Sequence, residues 1–162
     1  MMRKDKKFPS GRIIEPPPKL FIGGAEVPTQ GKPNPEKILN KIEKGIDFFQ
    51  TQYVFDVTIL KSYMKVLEDS GILEKVSFII GLGPFASAKS AKWMNDNLRG
   101  VDVPDEIVKR LEQAKDQKKE SQRICLELIN AFREIKGVHG VHLMGHNKEQ
   151  VIAEIIKESK NN

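Results

Sequence analysis

Four short apolar runs, each followed by a stretch of helical period, set the terms on which this sequence can fold. The runs are LFIGGAEV (20–27), DFFQTQYVF (47–55), VSFIIGLGPF (76–85) and GVHGVHLM (137–144). After the first, NPEKILNKIEKG predicts a helix with Asn34 as cap, Pro35 at its first position, Ile38, Leu39 and Ile42 on its apolar stripe, and Gly45 as its stop. After the second, Asp56 is the expected cap of a helix whose stripe is Ile59, Leu60, Met64 and Leu67, closed by Gly71. SAKSAKWMNDNL follows the third run. Residues 101–137 read as almost all helix, one piece starting at Val103 and Pro104 and a second carrying Leu126, Ile129, Phe132 and Ile135. NKEQVIAEIIKES is the last helix. The order β-α-β-α-β-α-α-α-β-α predicts an α/β fold of four parallel β/α units with helices covering the sheet. The third run is apolar throughout, which predicts a strand buried on both faces. Four strands do not close a β/α barrel, which takes eight, and no internal repeat is visible.

At 162 residues, 39% hydrophobic and 30% charged, the chain has the apolar content of one domain with a real core, which excludes the disordered class. The formal charge of +5 hints at nucleic acid, but its location argues against that partner. Arg3, Lys4, Lys6, Lys7 and Arg12 against Asp5 put a net of four positive charges in the opening segment. The rest is close to neutral and shows no basic stripe interleaved with aromatics. Residues 1–18, basic and then proline-rich, are expected to form an irregular arm ahead of a domain at 19–160. Cys125 is the only cysteine, so neither an intrachain disulfide nor a cysteine-cluster metal site is available. The longest apolar run, VSFIIGLGPFA, is far shorter than a spanning helix, and no signal-peptide core follows the basic start. The expectation is a soluble, cytoplasmic protein with no membrane and no nucleic-acid partner.

In parallel β/α folds, ligands gather beyond the carboxyl ends of the strands. All four expected strands end in polar or glycine-rich residues: Glu26, Gln52, GLGP (81–84) and HNK (146–148). Gln50 and Gln52 are two apart, so on a strand they share a face, and a buried amide without a partner costs roughly 1–3 kcal/mol. Gln52, nearer the strand end, is expected to face the mouth, whereas Gln50 has no assigned ligand role. Gly81 and Gly83 permit close backbone approach there, though GLGP lacks the third glycine of a dinucleotide fingerprint. His142 is expected in the core, His139 near the strand start and His146 at the mouth. None has carboxylates at metal-ligand spacing, so no metal is expected.

Five segments, FIGGAEVP, DFFQTQYVFDV, IIGLGPFASAKSAKWMN, GVDVPDEIVKRLE and GVHGVHLM, in this order resemble the methylenetetrahydrofolate reductase family in its short form, which lacks a regulatory domain. No one segment is decisive; their co-occurrence over residues 16–158 is specific. The resemblance implies a flavin-bearing β/α barrel that reduces 5,10-methylenetetrahydrofolate to 5-methyltetrahydrofolate. FAD would relay a hydride from NAD(P)H, or electrons from another donor. The match covers only the last four β/α units, so it implies half of a TIM-type (β/α)8 barrel. The family's general-acid glutamate, an arginine–aspartate pair and further FAD contacts belong to the other half. A complementary N-terminal half-barrel chain, or self-association, is the implied partner, and activity of this chain alone is not expected. The alternatives are a non-catalytic folate- or flavin-binding subunit that has kept the fold, and an inactive gene fragment.

By the same resemblance, Gln52 matches the glutamine that hydrogen-bonds the pterin, a role suited to an amide that offers donor and acceptor together. The plainer alternative is a polar side chain satisfied at a solvated mouth. Lys41 matches a lysine at the flavin's phosphates, with a solvated helix lysine as the alternative; neighbouring Lys37 and Asn40 depart from the family pattern. Ser90 and Met94 stand where family members often hold the folate with a glutamine and an aromatic. Ser90 keeps hydrogen-bonding capacity, while Met94 beside Trp93 also reads as plain core. Lys148 replaces an arginine at the aminobenzoyl-glutamate end, keeping the charge and losing the bidentate fork. Glu26, a carboxylate at a strand end, is a candidate proton donor, although the family's donor comes from the other half.

Overall fold

Helices start where short polar side chains can take over the unpaired amides of a first turn. In the computed structural model, which describes residues 5–16, 19–28, 32–145 and 147–160, Asn34 Oδ1 accepts from the amide of Lys37 at 2.9 Å and starts helix α1 (Pro35–Glu43). Asp56 accepts from the amides of Thr58 and Ile59 at 2.6 and 3.0 Å and starts α2 (Val57–Asp69). A reciprocal capping box of Ser87 and Ser90 opens α3 (Ala88–Asn97). Helix α4 (Asp105–Gln113) begins after Pro104, and Asp116 caps α5 (Gln117–Arg133) by accepting from Lys118 and Lys119. The last helix is α6 (Glu149–Ser159). Gly45 and Gly71 follow the first two helices with φ of 104° and 65°, a left-handed conformation that glycine adopts without strain. The caps at Asn34 and Asp56 and both glycine stops fall where the sequence predicts them.

The strands β1 (Gly23–Glu26), β2 (Phe48–Tyr53), β3 (Ser77–Leu82) and β4 (Val138–Leu143) pair in parallel in the order β1-β2-β3-β4. Each crossover steps to the same side, and right-handed crossovers that never reverse lay their helices on one face of the sheet. This is the arrangement of a TIM-type barrel opened after four units. A doubly wound sheet would reverse its order and carry helices on both faces.

Burial follows the same division. Along β2, Phe49 and Thr51 are buried toward the helices, while Phe48 and Gln50 are half-buried on the other face and Gln52 is half-buried at the strand end. Along β3, Phe78 and Ile80 are buried, and Ser77 and Ile79 are half-buried. The expectation of a third strand covered on both faces therefore fails, because no described helix covers the second one. Phe49 and Phe78 stack with ring centroids 5.2 Å apart in the helix-side core. That core also takes Leu60, Met64 and Leu67 from α2 and Ile124, Leu128 and Phe132 from α5. On the open side, Phe21 is 76% exposed and stacks on Phe48 at 5.1 Å.

Ahead of β1, the expected irregular arm contains an antiparallel bridge between Lys7 and Ile13, with the amide of Phe8 donating to the Arg12 carbonyl at 2.9 Å. Among the described residues, no helix is long and apolar enough to cross a membrane.

Candidate functional site

Gln52 is the penultimate residue of β2, and its Oε1 accepts from the amide of Tyr53 at 3.0 Å. That bond fixes the side-chain oxygen and leaves the amide nitrogen to donate elsewhere. Gln50 is half-buried on the uncovered face, in register with Ala25 of β1 and Ile79 of β3. No buried side-chain nitrogen or oxygen among the described residues lacks a partner, so neither glutamine is a buried orphan. Two amides are tolerated in an aromatic strand because neither is fully buried: Gln50 stands on its uncovered face, and Gln52 lies at its end with its oxygen bonded to Tyr53.

The register between β2 and β3 shifts between Gln50 and Tyr53, and Gly81 sits at the shift. Its amide donates to Thr51 Oγ1 at 2.8 Å, and a Cβ there would press on the carbonyl oxygens of Thr51 and Gln52, the latter 2.7 Å away. A Cβ at Gly83 would collide with the Met144 carbonyl and lie 2.9 Å from the Tyr53 ring. The close approach expected at these two glycines is thus made by the protein's own backbone and side chains.

At the end of β1, Glu26 points toward the helix layer, as does the neighbouring even position Gly24, where a Cβ would lie 2.7 Å from the Phe49 ring. Glu26 Oε1 lies 2.6 Å from Lys41 Nζ of α1, and its Oε2 accepts from the Tyr63 hydroxyl of α2 at 3.2 Å. Lys41 also donates to the Ala25 carbonyl at 2.9 Å and stands 5.6 Å from the centroid of the Phe49 ring. Burial, and then the charge of Glu26, push the Tyr63 pKa well above the ordinary phenol value, so Tyr63 stays protonated and donates. Glu26, the candidate proton donor in sequence, is here an acceptor on two sides. Beside this cluster a cleft of about 240 Å³ is lined by Lys32, Asn34, Lys37 and Lys41. A more apolar cleft of about 360 Å³, lined by Pro28, Ile59 and Val66, shares Lys32, Pro33 and Tyr63 with it.

The remaining candidates are dispersed. The Ser90 hydroxyl accepts from the amides of Ala86 and Ser87, both at 3.0 Å, and donates to the Ser87 carbonyl at 2.8 Å. One donor and two acceptor positions are thereby filled within the cap. Met94 packs against the core and Trp93 is 55% exposed. Lys148 is half-buried just before α6, its stem against Gly145. His142, expected in the core, is only half-buried: it lies on β4, an edge strand, in register with Gly81. His139 is exposed, with Nδ1 3.0 Å from the Gly137 carbonyl oxygen. His146 lies outside the described residues. Among the described residues, no three His, Cys, Asp or Glu side chains are grouped to hold a metal.

The structure therefore brings Glu26 and Lys41 together and adds Tyr63, which the sequence reading missed. The available signal was a tyrosine on the stripe of Leu60, Met64 and Leu67, where a phenol carries its hydroxyl into the core and needs a partner. A cavity of about 850 Å³ lies elsewhere, among α2, α4 and α5. Of the acids that line it, Asp56 caps α2, Asp105 and Glu106 sit in the first turn of α4, and Glu127 pairs with Arg110.

Against known proteins, residues 30–160 match the family model described as Methylenetetrahydrofolate reductase. A solved structure is described as an uncharacterized protein from Clostridium thermocellum that binds two copies of 5-methyl-5,6,7,8-tetrahydrofolic acid. It superposes with a TM-score of 0.64 at 22% identity, over 88% of this chain and 53% of that chain. That likeness is one of fold, and the chain spans about half the length of that protein. No curated protein matches.

Proposed function

Since the chain belongs to the methylenetetrahydrofolate reductase family, we propose that its open sheet face is one half of a reduced-folate site in which Gln52 hydrogen-bonds the pterin. The observation that carries this reading is the placement of Gln52, half-buried at the carboxyl end of β2 beside the register shift, with its oxygen held by the Tyr53 amide. A neighbour of the same fold that binds 5-methyltetrahydrofolic acid supports a folate as the ligand. Lys148 would meet the glutamate end as a point charge. Ser90, its hydroxyl committed to the cap, would act by fixing the start of α3.

In the finer reading, the chain is the C-terminal half of a reductase that makes 5-methyltetrahydrofolate, a step of one-carbon metabolism that feeds methionine synthesis. Lys41, with Lys32 and Lys37, would hold the phosphates of FAD; three lysines around one cleft are a chemically fitting cradle for an anion. Bound FAD would relay a hydride from NAD(P)H or electrons from another donor. Glu26 is the only carboxylate in the four strands and faces the helices, so this half does not set an acid on the open face of its strands. A complementary set of four β/α units is the partner this reading requires, to cover that face and the free edges of β1 and β4; self-association is the alternative.

Calorimetric titration of 5-methyltetrahydrofolate into wild type and Gln52→Ala tests the proposal. Saturable binding that weakens about tenfold in the variant, the worth of a hydrogen-bonded contact of ~1.4 kcal/mol, supports it. No binding by the natively isolated protein, with whatever chain accompanies it, sinks it. A folate-binding subunit without turnover is the second reading. NAD(P)H-dependent reduction of methylenetetrahydrofolate by the flavin-loaded complex decides between the two.

A further inference from the structure

The cleft at the end of β1 gathers Lys32, Lys37 and Lys41 around a single carboxylate, Glu26, which is only 15% exposed and 2.6 Å from the Lys41 ammonium. A compact anion seated on Lys41 would have to lie beside that carboxylate, and two like charges a few ångströms apart repel strongly at a half-buried site. A longer anion, such as a polyphosphate, can place its charge on Lys32 and Lys37 instead. We infer that Glu26 is an internal counter-ion that competes with bound anions for Lys41, and so determines which phosphate-bearing molecules the cleft accepts. This rests on the reading of the cleft as a cofactor-phosphate site.

The manner in which Glu26 is held favours a competitor over a strut. Its second oxygen is anchored by Tyr63, which donates at 3.2 Å from α2, so the carboxylate has a partner of its own when Lys41 turns away. Burial keeps that phenol protonated and able to donate. Lys41 is tethered in turn by the Ala25 carbonyl at 2.9 Å and sits on a flexible four-carbon stem. The ammonium is therefore the movable member of the pair. Glu26→Gln keeps the shape and one acceptor oxygen for Lys41, turns an N–H toward the Tyr63 oxygen in place of the second acceptor, and removes the charge.

The test is calorimetric titration of inorganic phosphate and of FAD into wild type, E26Q and E26Q/K41M, each isolated natively with whatever chain accompanies it. Removal of one nearby charge is expected to tighten phosphate binding about tenfold and FAD binding by less, and K41M is expected to cancel both gains. Circular dichroism and the urea unfolding midpoint report whether E26Q keeps the fold. In folded E26Q, unchanged or weaker phosphate binding overturns the inference, while FAD binding by wild type leaves the cofactor reading in place. If neither wild type nor E26Q binds phosphate or FAD, both fall together.

Discussion

Thr51 and Gly81 meet across β2 and β3 through one buried hydrogen bond, the threonine Oγ1 accepting from the glycine amide at 2.8 Å. At the register shift between Gln50 and Tyr53, a side chain serves this amide in the interior. The hydroxyl in turn donates to the Gln52 carbonyl at 2.9 Å. Thr51→Val keeps the shape and removes the acceptor. It is expected to lower the unfolding free energy by roughly 1–3 kcal/mol, the penalty of an orphaned buried amide, read as a lower urea midpoint at constant slope.

Gly81→Ala should be costly for a different reason. The added methyl would press on the backbone carbonyls of Thr51 and Gln52, which cannot turn aside as a flexible side chain would. A loss of roughly 1–3 kcal/mol is expected from overpacking. Gly140 of β4 has nothing within 4 Å of the same added atom, so Gly140→Ala should stay within about 0.5 kcal/mol of wild type. Equal effects at the two glycines would contradict this account of the β2–β3 junction.

Ser90→Ala separates a cap from a ligand contact. With its hydroxyl serving two amides and a carbonyl at the start of α3, the variant is expected to lose about 1 kcal/mol of stability. Folate affinity should be unchanged at temperatures where the variant is folded. A tenfold loss of affinity at unchanged melting temperature would restore Ser90 as a substrate contact.

The link between α4 and α5 predicts a pH dependence. Arg110 Nη1 lies 2.6 Å from Glu127 Oε2 and Nη2 lies 2.7 Å from Glu120 Oε1. Hydrogen bonding to Arg110, the leading cause, holds the Glu127 carboxyl below its ordinary 4.5. A carboxyl whose folded pKa is depressed adds stability above its unfolded pKa, and that stability is lost as the pH falls through the folded value. Half-exposed partners make the contribution small, about 0.5 kcal/mol. Arg110→Met should therefore show a shallower loss of stability below pH 4.5 than wild type, measured by urea unfolding along an acid series.

Cys125 should be unreactive in the folded protein. Burial pushes its thiol pKa up to about 12, so at pH 8 almost none is thiolate, the form that attacks disulfide reagents. Labelling by an aromatic disulfide is expected to be slow in buffer and complete in urea. Fast labelling in buffer would mean that α5 opens readily.

Much of this architecture was legible because helix starts and stops are local chemistry. Asn34, Pro35, Asp56 and Gly71 mark their boundaries through bonds to residues within a turn. What could not be read locally was which face of each strand is covered. The apolar run of β3 looked buried on both sides, yet Ile79 is half-buried, since coverage depends on where distant helices pack. The site divided in the same way. Gln52 was visible as a polar residue at a strand end, whereas the Glu26–Lys41–Tyr63 contact joins positions 15 and 37 residues apart in sequence. Gly81 and Gly83 looked like room for a ligand because a glycine in sequence does not reveal what approaches it.

Because the helices lie on one side of the sheet, alternate positions of β2 answer to different demands. Phe49 and Thr51 belong to the interior, and almost any change there disturbs a packed neighbour. Phe48 and Gln50 look the other way, so a change at either leaves the Phe49–Phe78 stack and the bond to Gly81 untouched. Mutation can try new ligand chemistry on one set of positions while the other set stays nearly frozen. Such a strand carries two interleaved messages, one slow to drift and one free to be rewritten.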